Sequence, residues 1–395
     1  MYRRCQHSAE GHYRDHQLSR IARNAFGYTH RSPAPAFDNL REASYVTQPL
    51  SVGHMAASAT RDMTEGWAPA QRGLSSFVAH TAMLVAAERL ADARHSQPVL
   101  RDPLLEKMLE HESDAQAAVE TCVNNWERQK HEDGLEHVAP FTGVRMRFGD
   151  GEVMRYLTAT PGHLQMVILG AGLDTRAWRL DLSERVSVYE VDQPDMSAAK
   201  GHCLRAGGAQ TTRAQAGSCS FPLKCGSWTS VAADLTQDWA SALHDKGFDK
   251  GLPTLWIAEG LFYYLEMDVC ARLLQGMAAL AAPGSALIMT HLSWAFYKAS
   301  QEALQDPNVG DGAKKWFASW KSWLPEEPSV YFETNGWRMQ SLSMISEAFT
   351  TYGVSQSKDM EKMLKPFTSG PGAPDYCCVS ATLQQGSQGA PRCTS

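Results

Sequence analysis

Between residues 80 and 385 the apolar positions fall into two alternating rhythms. Met83, Leu84, Ala87 and Leu90 recur at three- and four-residue intervals and stop before Pro98, the period of one helix face. Asp102-Pro103 marks a helix start, with an acid at the cap and proline in the first turn, ahead of Leu104, Leu105, Met108 and Leu109. A third helical stretch surrounds Arg145 and Arg147 and ends at Pro161. Short runs of strand length then follow at 166–169, 186–191, 230–233, 254–257 and 286–290. Helical segments separate them, such as Met267–Ala282, which stops at Pro283-Gly284. This alternation predicts an α/β fold, a parallel sheet with helices on both faces. The stretches at 336–354 and 375–382 read as strands joined by a loop or helix, adding an antiparallel edge. Residues 201–229, rich in Gly, Ser and Thr, read as a long surface loop before the third strand.

The chemistry begins where the first strand stops. Met166–Leu169 run into Gly170-Ala171-Gly172, then Asp174, Arg176 and Arg179. A buried strand that ends in a glycine turn and passes to a helix offers backbone N–H groups to a cofactor. A third glycine at dinucleotide spacing is absent, its place taken by Thr175, and Asp174 would repel a pyrophosphate at the helix start. The turn therefore favours a zwitterionic or cationic ligand, which points to S-adenosylmethionine rather than NAD.

Three acids sit just past consecutive strand ends, where open parallel sheets bind ligands. Asp192 comes 22 residues after Gly170 and suits both hydroxyls of a ribose. Asp234-Leu235 suits an adenine, the carboxylate accepting from the exocyclic amine and the leucine packing on the ring. Glu259 falls where a methionine amino group would lie. A strand-end acid also serves as a plain helix cap, so it is the set of three that carries the cofactor reading.

These segments resemble the leucine carboxyl methyltransferase family, including its bacterial and polyketide O-methyltransferase branches. The resemblance rests on TAMLVAAERL (81–90), RDPLLEKML (101–109), VRMRFGD (144–150), VILGAGLDTRAWRL (167–180), YEVDQPDM (189–196), AADLTQDW (232–239) and LPTLWIAEGLFYYL (252–265). It implies a Rossmann-like seven-stranded methyltransferase sheet over residues 75–385, with an N-terminal helical cap, a substrate-side lid and S-adenosyl-L-methionine as donor. Carried across by motif, Arg145 would bind the donor carboxylate, Gly170 and Gly172 would line the methionine arm, and Asp192 would hold the ribose. Asp234 and Leu235 would hold adenine, and Glu259 would neighbour the amino group. Arg147 is a second candidate for the arginine role, its plainer alternative being a surface pair with Asp150. Arg176 and Arg179 read as helix-surface or salt-bridge residues, or as a guide for an anionic substrate.

The family's protein-methylating members act on a C-terminal leucine. Here the segment after the fourth strand is bulky, Gly260-Leu261-Phe262-Tyr263-Tyr264, and the fifth strand leaves through Met289-Thr290-His291 where those members carry Asn-Tyr. Both departures point to the small-molecule branch, with protein C-terminal carboxyl methylation and a non-catalytic donor-binding module as rivals. Methyl transfer is an in-line displacement that positioning accelerates, so a carboxylate acceptor needs no base and a hydroxyl acceptor does. His291 is the candidate base, its alternative being a hydrogen-bonded histidine at a strand end. Trp294, Phe296, Tyr297, Trp316, Phe317, Trp320 and Trp323 either clasp the acceptor or, at 316/320/323, pack one helix face into the core.

Composition narrows the setting. A net charge of −6 over 395 residues leaves no basic field for nucleic acid. No apolar run reaches membrane-span length, so a soluble, cytoplasmic protein with a small-molecule partner is expected. The nine cysteines are scattered without a C-x-x-C pair and read as reduced thiols without a metal, Cys377-Cys378 lying in a strand with one thiol on each side. Residues 1–37 hold six arginines, four histidines and two acids, so 1–60 reads as a disordered or organelle-targeting extension, and 386–395 as a disordered tail.

Overall fold

The computed structural model describes residues 77–95, 97–133, 141–213, 219–307, 309, 311–354 and 376–384. The extension expected at 1–60 and the tail expected at 386–395 lie outside the described residues. Helices come first: α1 (Phe77–Ala93), α2 (Pro103–Met108), α3 (Ser113–Asp133) and α4 (Phe141–Ala159). The Asp102 side chain caps α2 by accepting the Leu105 N–H at 3.2 Å, as its place before Pro103 predicts. The helix α3 has no counterpart among the elements read from the sequence. Among the residues whose burial is described, its buried stripe is Ala115, Val119 and Cys122, and small residues among polar ones leave a faint period.

The sheet follows, with strands β1 (Leu164–Leu169), β2 (Ser183–Asp192), β3 (Cys225–Ala232), β4 (Thr254–Ala258), β5 (Ala286–Leu292), β6 (Trp337–Met344) and β7 (Tyr376–Leu383). Their order across the sheet is β3-β2-β1-β4-β5-β7-β6. The first five strands run parallel, and β7 enters antiparallel between β5 and β6. The crossovers carry α5 (Arg176–Arg179), α6 (Pro194–Ala206), α7 (Trp239–Asp245) and α8 (Met267–Leu280), and α12 (Ile345–Thr351) follows β6. After β5 come α9 (Trp294–Ala303), α10 (Asp311–Phe317) and α11 (Pro328–Thr334). This is the Rossmann-like seven-stranded arrangement that the resemblance implies. No helix among the described residues is long and apolar enough to cross a membrane.

Alternation along the strands feeds two separate cores. Met166, Ile168, Val186, Val188, Leu255 and Ile257 face the layer that holds α1, α2 and α3. Val167, Leu169, Tyr189, Val191, Trp256 and Ala258 face the layer of α7 and α8. Both faces are covered, which is why these strands read as nearly continuous apolar runs. Trp256 is completely buried, and truncating it to alanine would cost about 3–5 kcal/mol. In β7 the neighbouring Cys377 and Cys378 fall into different cores, one thiol on each face as expected.

Two segments depart from the expectation. The third strand begins at Cys225 and α6 runs to Ala206, so the stretch expected as one loop over 201–229 is helix at its start and strand at its end, with Ala209 and Phe221 bridged between them. Edge strand β3 is only partly covered and therefore polar, so its first half shows no apolar run. Gly226 lets it lie against β2, since a Cβ there would stand 2.2 Å from the Glu184 carbonyl oxygen. The aromatic helix ends at Phe317, so Trp320 and Trp323 follow it rather than share its face. Phe317 and Trp320 are buried, whereas Trp316 remains exposed.

Candidate active site

Among the parallel strands the order reverses between β1 and β4, which places a crevice at their carboxyl ends. The chain leaves β1 through Gly170 (φ +63°) and Gly172 (φ +46°), backbone that favours glycine. The Gly170 N–H donates to the Val191 carbonyl at 2.8 Å, and a Cβ at Gly170 would approach Leu261 to 3.0 Å. The Gly172 N–H donates to Asp192 Oδ2 at 2.6 Å, while Asp192 Oδ1 accepts from the Gln193 N–H at 2.8 Å. Asp192 closes β2 and is thereby locked with its carboxylate at the glycine turn. Burial raises its pKa, against the two backbone N–H groups that favour the charged form.

Asp234 stands two residues beyond β3, its Oδ1 accepting both the N–H and the hydroxyl of Thr236 at 2.8 Å. Glu259 follows β4 directly, and both of its oxygens accept from Arg176 Nη2, at 3.0 and 2.9 Å. Burial pushes the Glu259 carboxyl up, with Arg176 and then Arg145 pulling it down. Arg145 comes from the second turn of α4 and is buried. Its Nη1 donates to the Tyr376 hydroxyl at 3.4 Å, and its Nε has no hydrogen-bond partner among the described residues. Its pKa is nonetheless raised, since nearby Tyr376, Tyr263 and Glu259 outweigh the burial that would lower it. Arg145, Gly170, Gly172, Asp192, Asp234, Leu235 and Glu259 all line one cavity. Seven of the eight site residues expected from the sequence therefore converge.

His291, the expected base, is the eighth and does not join them. It is completely buried in β5, with its ring against Phe262 and Tyr263. The Leu292 N–H donates to its Nδ1 at 2.9 Å, and Nε2 lies 3.5 Å from Ser322 Oγ. Burial lowers its pKa to about 3, which keeps the ring neutral. The strand alternation that turns Thr290 to one face turns His291 to the other. The geometry thus matches the alternative of a packed strand-end histidine.

The arginines also take places that their sequence positions do not announce. Arg147 bonds the Val99 carbonyl at 2.9 Å and lies over the Tyr352 ring, so it does not pair with Asp150. Asp150 is held by Arg176 and Arg179 instead. Of the two readings, Arg176 and Arg179 are the salt-bridge residues, with Arg176 buried in the cavity wall. Arg89 from α1 also lines the cavity, pairs with Asp102 and donates to the Leu173 carbonyl at 3.0 Å. Tyr263, Tyr264, Leu265, Ser319 and Lys321 line the remaining wall. Trp316 Nε1 donates to the Tyr264 hydroxyl at 3.0 Å, tying α10 to that wall.

A family model of leucine carboxyl methyltransferase matches residues 82–278. A protein of Mycolicibacterium vanbaalenii, assigned as an S-adenosyl-L-methionine-dependent methyltransferase, is 30% identical over 325 residues, spanning 78% of this chain and 96% of that protein. The chain belongs to the leucine carboxyl methyltransferase family of S-adenosyl-L-methionine-dependent enzymes. A protein of Mycolicibacterium smegmatis with the same assignment is 38% identical over 224 residues, 55% of this chain and 68% of its own length. One from Mycobacteroides abscessus is 34% identical over 217 residues, and there the match spans 64% of the relative. Across the family match, the residues present fit such a donor. A carboxylate faces the glycine turn, an acid–leucine ledge follows β3, and Glu259 and Arg145 offer opposite charges to an amino acid's two ends.

Proposed function

We propose that this chain methylates an oxygen of a small molecule, with a carboxylate as the best-suited acceptor and a hydroxyl as the lesser one. Asp192 would hold the donor's ribose, Asp234 and Leu235 its adenine, and Glu259 and Arg145 the amino and carboxylate groups of its methionine part. The bound donor supplies an electrophilic methyl group on a cationic sulfur.

The observation that carries the acceptor class is the chemistry of the lining. Glu259 and Asp174 are committed to Arg176, Asp192 to two backbone N–H groups, and Asp234 to Thr236. His291 is not in the wall, so no uncommitted base lines the cavity among the described residues. A carboxylate arrives already nucleophilic and asks only to be held and kept dry. Lys321, paired with Glu266 at 3.4 Å near the surface, supplies a positive charge at the rim. Leu261, Tyr263, Tyr264 and Leu265 make the adjoining wall apolar and aromatic, which suits a small organic acid better than an extended peptide.

The test uses purified full-length chain with methyl-labelled donor and a panel of organic acids, phenols and intact proteins. Alkali-labile label in small organic acids supports the reading. Label confined to a protein band would overturn it in favour of protein carboxyl methylation. Tight donor binding with no transfer to any acceptor class would favour the non-catalytic alternative.

A further inference from the structure

We propose that Arg176 is a positioning residue for donor binding, holding the Glu259 carboxylate in place at the cavity wall. The proposal rests on reading Glu259 as the ligand of the donor's amino group. Arg176 is 1% exposed and uses all three guanidinium nitrogens on acids from three different elements. Nε donates to Asp150 of α4 at 2.8 Å, Nη1 to Asp174 of the glycine turn at 2.5 Å, and Nη2 to both Glu259 oxygens. The Asp174 carboxylate also accepts the Arg176 backbone N–H at 2.7 Å, which fixes the base of the side chain.

Two observations carry the proposal. The first is placement: Arg89, Asp174, Arg176 and Glu259 all line the cavity beside the glycine turn, and with Arg145 on the same wall the four acids Asp102, Asp150, Asp174 and Glu259 face the four arginines Arg89, Arg145, Arg176 and Arg179. Buried acids in such a cluster keep their charge only while their partners hold them. The second is space. Gly149 lies one turn after Arg145 on the same face of α4, and a Cβ there would stand 1.8 Å from Glu259 Oε1 and 2.9 Å from Arg176 Nη2. The carboxylate can lie against Arg176 only because that position has no side chain.

Glu259 faces Arg176 from α5, Arg145 and Asp150 from α4, and Asp174 from the turn. Without Arg176, burial and the Asp174 charge would act against the single remaining cation, Arg145. The carboxyl would then take up a proton nearer neutrality and lose its hold on an ammonium group.

Calorimetric titration of the full chain with S-adenosylmethionine at pH 5.5–7.5 tests this, each variant read as a ratio to the wild type so that the ligand's own titration cancels. Arg176→Gln is expected to bind weakly at the acid end and to recover about tenfold per pH unit while Glu259 ionises. Arg176→Lys should stay within about threefold of the wild type, with a flat ratio, because the charge is kept. Gly149→Ala, which displaces the carboxylate without removing a charge, should weaken binding about tenfold. It carries the test if circular dichroism shows Arg176→Gln unfolded. Glu259→Gln should be weak with a flat ratio. A flat Arg176→Gln ratio beside a weak Glu259→Gln would overturn the positioning role and leave Glu259 as a ligand. Wild-type affinity in Gly149→Ala would also overturn it. Wild-type affinity in Glu259→Gln would remove the Glu259 reading itself.

Discussion

Thr290 of β5 and Tyr376 of β7 meet through their hydroxyl oxygens, 2.7 Å apart in the buried interior. Thr290 Oγ1 also accepts the Gly260 N–H at 2.9 Å, and the Tyr376 hydroxyl accepts from Arg145. The pair therefore links the backbone beyond Glu259 to the neighbouring Arg145 side chain. One relay sets two groups that the proposed donor would touch. Tyr376→Phe leaves the buried Arg145 without that acceptor, a loss of about 1–3 kcal/mol. Donor affinity should fall about tenfold with little change in secondary structure, as read by calorimetry and circular dichroism. Unchanged affinity would show that Arg145 holds its place without the relay.

Asp192 offers a sharper test of the donor site. Its alanine variant removes a carboxylate that accepts two backbone N–H groups and faces the cavity. Charge-assisted hydrogen bonds are worth about 1.5–3 kcal/mol each, so binding should weaken about a hundredfold or more. Both S-adenosylmethionine and S-adenosylhomocysteine should be affected alike, because they share the ribose. A variant that binds either ligand normally would exclude Asp192 as the ribose anchor.

His291 gives a pH dependence of stability. Its folded pKa, about 3, lies below its ordinary value of 6.5, so the unfolded chain binds the extra proton first. Stability from this residue is fully present above about pH 6.5 and is lost as pH falls towards 3, by roughly 5 kcal/mol at most. The His291→Asn variant cannot charge and should lose less stability across that window. The check is the urea midpoint of both proteins at several pH values, taken as a difference so that the carboxylates cancel. Parallel curves would mean that the imidazole charges in the folded protein.

Arg89 and Asp102 form a buried pair, each side chain 2% exposed, and Thr175 Oγ1 donates to the same carboxylate at 2.5 Å. Arg89→Met removes the direct partner of the acid and leaves it the Thr175 hydroxyl, the Leu105 N–H and Arg179 3.8 Å away. Breaking such a pair costs about 3–5 kcal/mol, so chemical denaturation should show a loss of that size. Arg89→Met combined with Asp102→Asn should recover part of it, since no lone charge remains. Failure of the second change to rescue would assign the loss to the Leu173 carbonyl contact instead.

Where a segment is buried on both faces, its sequence says so. The strands 164–169 and 254–258 and the helix at 267–280 appear as apolar runs or stripes because each touches a core along its length. The acids past β2, β3 and β4 were legible for a different reason, since strand ends and glycine turns locate a crevice before any side chain is placed. What stayed hidden depends on tertiary pairing. Arg176 has the same composition signal as a surface helix arginine, and only the approach of Asp150 and Glu259 from distant segments buries it. His291 lies one residue from a cavity-facing network, and the pleat decides which of Thr290 and His291 belongs to it. Edge strand β3 hides because half-covered strands are free to be polar.

The insertion of β7 between β5 and β6 has a consequence for biosynthesis. A ribosome delivers β5 and β6 before β7 exists, so the growing chain passes through a stage in which both lack their shared neighbour. The exposed edge of β5 during that interval is a liability for aggregation. Tyr376, the first residue of the arriving strand, also delivers the hydroxyl that Arg145 leans on. If Arg145 holds the donor as proposed, donor binding would favour the chain whose β7 is in place over precursors that lack it.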